Sequence, residues 1–552
     1  MLDAQRTLIT PLRAAVRARR STASCAASTG PRVATEPARR RATNLPVLDQ
    51  PPPSRYTMTP MRRKLLPSAA IALAMVAGSV APAAAPASGN TAESNTQAAP
   101  AYPLRVSADH RYLVDSNGVP FLIVGDSPQT LTVNASPADA ASYMADRKRY
   151  GINSLWINLL CNWPKICREN GATFDGINPF LSEDDLSTPN PKYFPRVDEI
   201  IRLAAASEMA VFLDPIETSG WLGVLRANGL DKAFAYGRFL GSRYKGFPNI
   251  IWMSGNDFQT WRNTNDDALA QAVARGIRSA DPMHLQTVEL NYLTSGSLDD
   301  PSWAPLIDLD AAYTYFPTYA QVLTEYNRPH YKPVFMVEAA YEFEHIPGTD
   351  GGATRNLRKQ EYWSMLSGAA GQLYGSAVTW RLQAGWQSRL DTPGALQLRY
   401  LKDLFLPRKW YELVPDQSHT TLISGYGSMS ERTGKFAAYM GSGPRHGFRW
   451  FEFIKNHTGW GSVTWNDFAP AAATPDGTLL IAYMPSIRPL VVDMSKLRGP
   501  VQARWYDPTA GSYHDAAGSP FAATATQELD PPGKNAEGNG DWILLLESLS
   551  DH

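Results

Sequence analysis

Short apolar runs that stop abruptly at polar or acidic residues recur through the middle of the chain. They are rich in β-branched and aromatic residues, which is typical of strands buried in a parallel sheet. The pattern predicts eight strands, at Phe121 to Val124, Ile152 to Leu159, Met209 to Leu213, a run from Ile250, Leu285 to Leu290, Leu309 to Tyr315, Val334 to Val337 and Gln372 to Trp380.

Helical patterns lie between most of these runs. The first follows Ser136-Pro137, an N-cap residue and a proline suited to the first helical position, and ends near Gly151. Others lie around residues 197–204, 231–244, 266–279, 354–368 and 394–406, while the connections from strand five to six and from six to seven show the weakest pattern. This alternation favours a (β/α)₈ TIM barrel. An open doubly wound sheet is the alternative, but no glycine-rich phosphate loop follows the first strand.

The pattern of apolar and polar residues changes after about residue 412. Helical periodicity stops, and short apolar stretches alternate with Gly, Pro and Asp turns, which is typical of a β-sandwich. We expect a barrel domain over residues 103–412 and a small sandwich domain over 413–552. The sandwich either binds sugar or packs against the barrel, and the lack of an obvious exposed aromatic strip favours packing.

The N-terminal region is read as a targeting segment. Residues 1–60 are rich in Arg, Pro, Ala and Ser and form a disordered or mis-annotated extension in our interpretation, with translation starting at Met58 or Met61. Residues 61–87 have the charged start, short apolar core and small-residue end of a signal peptide. A linker over 88–102 follows, and the protein is expected to be secreted. A genuine targeting extension is the alternative for residues 1–60.

Charge and cysteine content fit an exported protein. Residues 1–87 hold 13 of the 52 Lys and Arg but only three of the 52 Asp and Glu, which leaves 39 basic and 49 acidic residues in the remainder. That acidic balance gives no reason to expect a nucleic-acid partner, and no membrane association is expected beyond export. Cys161 and Cys167 are six positions apart in one polar loop, and a local disulfide is favoured over two free thiols.

Two predicted strands end in a carboxylate, and these residues suggest the chemistry. Asp257 follows the fourth strand in Gly255-Asn256-Asp257, and Glu338 ends the seventh. In a barrel both side chains would reach the carboxyl-terminal mouth, where barrel enzymes hold their catalytic groups. Glycoside hydrolysis needs two such carboxylates, one as proton donor and one facing the anomeric carbon. Asp257 and Glu338 are therefore the predicted catalytic pair.

Other polar and aromatic residues near predicted strand ends are candidates for binding the substrate. Asp126 and Asn256 are expected to bind sugar hydroxyls, although Asn256 could instead cap its turn. Tyr313 or Tyr315 would orient Glu338, and Glu342 is a rival nucleophile. The remaining candidates are Glu217 and Trp221 for the cleft wall and Trp380 for the floor of the subsite, with a core position the alternative for Trp380.

Several stretches resemble the apiosidase-like family, barrel proteins with a C-terminal domain described as collagen-binding. They are Tyr112 to Asp126, Tyr150 to Asn153, Pro248 to Asp257, Lys332 to Glu338, Ala370 to Gly375, Ala503 to Gly511 and Asp541 to Leu545. The resemblance covers most of residues 103–548. It implies a retaining hydrolase in which Asp257 is the acid/base and Glu338 the nucleophile, releasing apiose, a branched pentofuranose, from complex pectin.

Two departures from the family pattern bear on the sugar. Ser127-Pro128-Gln129 stands where the family is expected to carry an aromatic residue, and Gln372 and Ser376 replace histidines. Another furanoside, such as an arabinofuranoside, is therefore an alternative substrate within the expected oligo- or polysaccharide.

Two further classes of protein are alternatives to the glycosidase. One is a non-catalytic carbohydrate- or matrix-binding protein on a degenerate barrel. The other is a metal-dependent hydrolase, which the nine scattered His residues disfavour. No cofactor or metal is expected.

Overall fold

A computed structural model describes residues 99–163, 165–258, 263–345, 350–429 and 461–550 of the 552-residue chain. The predicted N-terminal extension, the signal peptide and most of the linker lie outside these residues. The described part begins with a three-stranded antiparallel sheet of β1 (Arg105–Val106), β2 (Leu113–Val114) and β3 (Pro120–Phe121). The turn at Asn117-Gly118 connects the antiparallel strands β2 and β3, and Gly118 adopts a positive φ of 83°.

A nine-stranded sheet forms the centre of the molecule. Its order is β8-β7-β6-β5-β4-β12-β11-β10-β9, with parallel pairing except between β9 and β10. The strands are β4 (Ile123–Asp126), β5 (Ser154–Asn158), β6 (Ala210–Asp214), β7 (Ile250–Ser254), β8 (Gln286–Val288), β9 (Thr294–Ser295), β10 (Asp310–Thr314), β11 (Val334–Glu338) and β12 (Gly371–Tyr374).

The sheet curls until its first and last parallel strands meet. The amides of Asp308 and Leu309, just before β10, donate to the Gln286 carbonyl of β8 over 2.7 and 3.3 Å. The eight parallel strands therefore form a (β/α)₈-type barrel, which confirms the predicted fold class. Each predicted strand contains or overlaps an observed one, but the eighth, predicted over Gln372 to Trp380, is wrong at its end, because β12 stops at Tyr374 and the chain then turns.

Helices follow most barrel strands and cover its outside. They are α1 (Leu131–Asn134), α2 (Pro137–Arg149), α3 (Phe194–Ala206), α4 (Thr218–Tyr244), α5 (Thr264–Ala280), α6 (Thr318–Tyr326), α7 (Thr354–Leu366) and α8 (Pro393–Phe405). The predicted N-cap of α2 is present, since the Ser136 side chain accepts from the amide of Asp139. Between β8 and β10 the described chain forms β9 and a 3₁₀ turn at Ser297–Asp299 instead of an α-helix.

Side-chain alternation along each strand separates two apolar layers. On β4 and β6, Ile123 and Phe212 belong to the cluster inside the barrel. Their neighbours Val124, Val211 and Leu213 belong to the cluster that packs against the helices. Because successive strand residues point to opposite faces, this parity decides which side chain at a strand end reaches the barrel mouth.

The C-terminal region consists of two antiparallel sheets, as predicted. The larger has the order β13-β15-β16-β21-β18-β19 and the smaller β14-β17-β20. Their strands are β13 (Val414–Pro415), β14 (Leu422–Ser424), β15 (Ala471–Ala473), β16 (Leu479–Met484), β17 (Leu490–Asp493), β18 (Val501–Asp507), β19 (Ser512–Asp515), β20 (Thr526–Leu529) and β21 (Trp542–Ser548).

The larger sheet packs on the barrel through one shared apolar core. Tyr362 of α7 and Leu401 of α8 lie in the same buried cluster as Ile481 and Tyr483 of β16. The rings of Tyr362 and Tyr483 stack with centroids 5.1 Å apart. The contact supports the packing role that the sequence favoured for this region.

Candidate active site

The fourth strand ends in a turn built from residues that tolerate left-handed backbone. Gly255, Asn256 and Asp257 have φ values of 119°, 67° and 60°. Glycine adopts positive φ without steric cost, and among the other residues Asn and Asp are enriched at positive φ. A Cβ on Gly255 would lie 2.0 Å from the Glu289 carbonyl oxygen, so only glycine fits. The turn redirects the chain and leaves Asp257 half-buried just beyond β7.

Asp257 is anchored from the neighbouring strands. The Tyr313 hydroxyl donates to its Oδ1 over 2.7 Å. Its backbone amide donates to Glu289 Oε2 over 3.2 Å. Burial raises the pKa of Asp257 to about 6, against the opposing effect of the Tyr313 hydrogen bond. Strands β8 and β10 therefore hold a carboxyl group whose pKa has moved toward neutrality.

Glu338, the last residue of β11, accepts two tyrosine hydroxyls. Tyr315 donates to Oε1 over 2.8 Å, and Tyr341 donates to Oε2 over 2.7 Å. Burial, followed by the negative charges of Asp257 and Glu344, raises the pKa of Glu338 to about 8, while the two hydroxyls oppose the rise. Tyr315 packs against Tyr313, whose hydroxyl donates to Asp257, so the two carboxylates share one region of the barrel mouth.

Two tyrosines two positions apart link the candidate pair. Tyr313 and Tyr315 point to the same side, and their ring centroids are 5.8 Å apart. Of the two tyrosines considered for orienting Glu338, Tyr315 hydrogen-bonds to it, whereas Tyr313 hydrogen-bonds to Asp257. Tyr341 was not predicted; it also accepts a hydrogen bond of 2.9 Å from Gln129 Nε2.

A third carboxylate, Glu289, lies between the pair and was not among the predicted site residues. It follows β8, is fully buried, and no described group bonds its Oε1. Burial and then the charges of Glu338 and Asp257 raise its pKa well above the usual range. The sequence signal was weak, because Gln286 and Thr287 interrupt the apolar run and Glu289 lies inside the predicted fifth strand, Leu285 to Leu290.

Asn256 is positioned through a chain of side-chain hydrogen bonds across the barrel interior. Trp156 Nε1 donates to Asn158 Oδ1 over 2.9 Å, and Asn158 Nδ2 donates to Asn256 Oδ1 over 3.0 Å. This arrangement fixes the Asn256 amide with its Oδ1 occupied, so its Nδ2 is the group oriented to donate. The sugar-binding role predicted for Asn256 is compatible with this geometry.

Glu217 lies close to the pair but also caps a helix. Its side chain accepts from the Gly220 amide at the start of α4 and from Trp163 Nε1 over 2.8 Å. Burial raises its pKa to about 7, and the charge of Asp257 contributes to the rise. Trp163 lies in the loop where the structure pairs Cys161 with Cys167.

Trp380 packs edge-on against Trp163, with ring centroids 4.7 Å apart, and is only 6% exposed. Of the two rings, Trp163 is the more exposed. Trp163 therefore offers more surface to a ligand than the predicted Trp380.

Asp126 does not reach the barrel mouth, so its predicted sugar contact is corrected. Val124, two residues earlier on the same strand, faces the helices, and residues two apart on a strand point to the same face, so Asp126 also faces the helices. It is fully buried, accepts a short hydrogen bond from the Tyr143 hydroxyl and lies 3.5 Å from Arg147 Nη1 on α2. Its role is to attach a helix to the barrel.

Two further residues belong to the scaffold. Trp221 is 1% exposed and packs on Phe180 in the core outside the barrel, so it is not part of the cleft wall. Glu342 is fully buried, and its carboxylate accepts from Tyr374 and from the Gly394 amide at the start of α8. The rival nucleophile is therefore directed into the scaffold and away from Asp257.

Within the described ranges, no three His, Cys, Asp or Glu side chains are grouped in a way that could hold a metal ion. None of the described helices is long and apolar enough to cross a bilayer.

Two known families match parts of the chain. A family described as "Apiosidase-like, catalytic domain" matches residues 107–412. Residues 466–547 match a family described as "Putative collagen-binding domain of a collagenase". No curated protein sequence matches the chain.

Two solved structures show the same fold over most of this chain. One, named a glycoside hydrolase, is 24% identical, with 82% of this chain and 98% of that chain covered and a TM-score of 0.66. A glycoside hydrolase family 5 protein from Bacteroides vulgatus ATCC 8482 is 23% identical, with 81% and 93% covered and a TM-score of 0.65. At such identities the likeness establishes the fold alone.

The barrel and the family match together define a glycoside hydrolase. Since the catalytic-domain match spans more than half of its length, the chain belongs to the apiosidase-like family.

Proposed function

We propose that the protein is a secreted, retaining glycosidase that cleaves pentofuranosidic, apiose-like bonds in complex polysaccharide. The observation that carries the proposal is the pairing of Asp257 and Glu338, each held by a tyrosine of the same strand region, Tyr313 and Tyr315. Oligo- or polysaccharide is the substrate. Arabinofuranose is the second candidate sugar, because Gln129 and Gln372 stand where the family pattern carries other residues.

The proposed reaction is a double displacement. Asp257 donates its proton to the glycosidic oxygen while a Glu338 oxygen attacks the anomeric carbon, which breaks the bond to the leaving group and forms a glycosyl ester. Asp257 then takes a proton from water, whose oxygen attacks the same carbon and releases Glu338. Both steps proceed with inversion, so the product retains the configuration of the substrate.

The assignment of the acid/base and the nucleophile depends on which of the two carboxyls carries the proton. Burial outweighs hydrogen bonding at both carboxyls and raises the pKa of Glu338 to about 8 and that of Asp257 to about 6, which places the proton on Glu338 in the free enzyme. Hydrogen bonding has the opposite effect, because two tyrosine hydroxyls stabilise ionised Glu338 and one stabilises Asp257. The two groups titrate as a pair. We assign the acid/base role to Asp257 from its place after strand four and from the family resemblance.

Glu289 and Asn256 support the pair in this scheme. Glu289 fixes the turn by accepting a hydrogen bond from the Asp257 amide, and burial, followed by the charges of Glu338 and Asp257, raises its pKa. The Asn256 Nδ2 is placed to donate to a hydroxyl of the sugar bound between Asp257 and Glu338.

The test is hydrolysis of aryl apiofuranosides and arabinofuranosides by the wild type, Asp257→Ala and Glu338→Ala. We expect wild-type activity on one of the two sugars and a loss of at least about a thousandfold in each variant. Azide should restore turnover in both variants, giving a glycosyl azide of inverted configuration with Glu338→Ala and of retained configuration with Asp257→Ala.

Glu342→Ala is the matched control, since it removes a buried carboxylate four residues after Glu338. Azide should not rescue any activity that this variant loses. A retained glycosyl azide with Glu338→Ala and an inverted one with Asp257→Ala would mean that Asp257 is the nucleophile and Glu338 the acid/base. Absence of wild-type activity on every furanoside would overturn the proposal.

A further inference from the structure

A second cleft lies on the opposite end of the barrel. It has a volume of about 470 Å³ and is lined by Arg111, Tyr112, Tyr326, Tyr331, Trp410 and Tyr411, among others; we call these six residues and the space between them the basal groove. Sites for small molecules typically measure about 300–1,000 Å³. The basal groove is therefore large enough to hold a ligand.

The residues that line the basal groove lie near the amino-terminal ends of the barrel strands, whereas the candidate active site lies at the carboxyl-terminal ends. Tyr326 ends α6, and Tyr331 lies just before β11, whereas Glu338 is the last residue of β11. Five strand residues rise about 16 Å, so the basal groove is separated from the candidate active site by the length of the barrel. Pro475 and Asp476, in the turn before β16, close one side of it. Barrel and sandwich both contribute to its wall.

The aromatic side chains form a partly exposed cluster. Tyr112, Tyr326, Tyr331 and Tyr411 are neither buried nor fully exposed. Tyr112 contacts Tyr411 and Trp410, with ring centroids 5.2 and 6.0 Å apart. Rings held by one another in this way lose little conformational freedom when an apolar face, such as that of a sugar ring, packs on them.

Arg111 is fixed between two of these rings. Its guanidinium carbon lies 3.9 Å from the Tyr326 ring centroid and 3.5 Å from that of Tyr331. Nη1 donates to the Tyr326 carbonyl over 2.8 Å, and within the described residues this is its only guanidinium hydrogen bond. Since a guanidinium has five N–H donors, its edge retains donors for a ligand.

Two carboxylates in the groove wall lie beside a cation. Lys409 Nζ lies 3.9 Å from Glu412 and 3.7 Å from Asp476, while Asp109 is exposed at the side near Arg111. The groove lining holds three carboxylates and one cation, Arg111, and Lys409 lies beside two of the carboxylates; this excess of acidic groups disfavours a polyanionic ligand. The combination of apolar rings with paired donors and acceptors instead matches a neutral ligand rich in hydroxyl groups.

We propose that the basal groove is a second carbohydrate-binding site, which holds a neutral glycan segment of the polysaccharide away from the candidate active site. The choice of ligand class rests on the proposed function. The groove would raise the affinity for polymer by tethering it, and it would not affect a substrate small enough to occupy only the candidate active site.

The test measures binding without hydrolysis, in the full-length Glu338→Gln chain. Titration calorimetry with branched arabinan should show binding that weakens at least tenfold when Tyr331→Ala and Tyr411→Ala are added. Tyr513→Ala is the matched control; this tyrosine is 39% exposed in the sandwich, outside the groove, and its removal should leave affinity unchanged. In the otherwise wild-type enzyme, the two groove substitutions should leave kcat/KM for an aryl furanoside unchanged.

Unchanged arabinan affinity in the groove variant would overturn the proposal. So would tighter binding of polygalacturonate than of arabinan, or groove-dependent binding of a collagen-like triple-helical peptide in place of arabinan. Failure of the proposed function is a separate result, because it is seen as absent furanoside hydrolysis and does not enter the binding measurement.

Discussion

The hydroxyls of Tyr315 and Tyr341 are the direct hydrogen-bond donors to Glu338, and they favour its ionised form against the effect of burial. Both donate to the carboxylate over 2.7–2.8 Å, and both rings are buried, so neither is replaced easily by water. A hydrogen bond to a charged group contributes about 1.5–3 kcal/mol. The two tyrosines are therefore positioning residues for the proposed nucleophile.

Tyr315→Phe and Tyr341→Phe should each lower kcat/KM roughly ten- to a hundredfold. They should also move the acidic limb of the pH–rate profile upward, because the ionised form of Glu338 loses a donor. Steady-state kinetics between pH 4 and 9 measure both effects. Tyr362→Phe is the control, since that buried hydroxyl has no described hydrogen-bond partner. A lower kcat/KM with an unshifted profile would contradict the positioning role.

The raised pKa of Glu338 also predicts how stability depends on pH. The folded protein keeps this proton up to about pH 8, whereas the unfolded chain loses it near pH 4.5. The folded state binds more protons between these values, so its stability contribution is complete below pH 4.5 and is lost as pH rises through 8. Glu338→Gln should therefore be more stable than wild type by about 1–3 kcal/mol at pH 8.5 and equal to it at pH 4.

Urea unfolding at both pH values tests this. Glu547→Gln supplies a control of opposite sign, because Arg408 and Arg504 lower the pKa of Glu547 despite its burial. That substitution should destabilise the protein at neutral pH, with the effect fading as pH falls. A Glu338→Gln variant less stable than wild type at pH 8.5 would show that the Glu338 carboxylate is not destabilised by burial.

At the scale of elements, the strands could be predicted from the sequence because they are buried on both faces. The short helix and the irregular connections between strands could not, because they depend on packing against the rest of the fold. All eight barrel strands are visible as apolar runs because both of their faces are covered. α6 was missed because it has only nine residues, beginning at Thr318, and its N-cap residue Pro317 offers no side-chain cap. The fifth-to-sixth connection was unclear for a physical reason, since its described residues form β9 and a 3₁₀ turn.

The site residues show the same difference: those that end an apolar strand could be predicted, and those whose position depends on side-chain direction or on a loop could not. Asp257 and Glu338 were predicted because each ends an apolar strand, and the structure brings both to one end of the barrel. Asp126 also ends a strand but faces the helices, which only the inward and outward assignment of Ile123 and Val124 reveals. Tyr341 lies in a loop beyond β11, and no pattern in the sequence shows that its hydroxyl returns to Glu338.

At the scale of the whole molecule, a buried ion pair joins barrel and sandwich. Arg358 of α7 donates from Nε to Asp541 Oδ2 over 2.9 Å and from Nη2 to Oδ1 over 3.1 Å. The two residues are 1% and 0% exposed. Tyr483 and Asn535 also donate to Asp541, and Gln397 accepts from Arg358. The charges are fully satisfied where the two parts share their apolar core.

Removing one partner of this pair leaves the other charge buried, so Arg358→Ala should cost about 3–5 kcal/mol of unfolding free energy. Because the apolar core is continuous across the interface, barrel and sandwich should unfold together, and the loss should appear as a lower midpoint of one urea transition. Arg399→Ala is the control, because Arg399 and its partner Asp403 are both 52% exposed and the pair is worth less than about 1 kcal/mol.

Combining Arg358→Ala with Asp541→Ala should cost clearly less than the sum of the two single changes, because neither charge is then left alone. Additive losses, or a sandwich that unfolds before the barrel in wild type, would show that the interface does not couple the two parts. Trp fluorescence and far-UV circular dichroism, followed in the same urea titration, separate these outcomes. Coincident curves are expected, since the ion pair and the stacked Tyr362 and Tyr483 rings belong to one cooperative core.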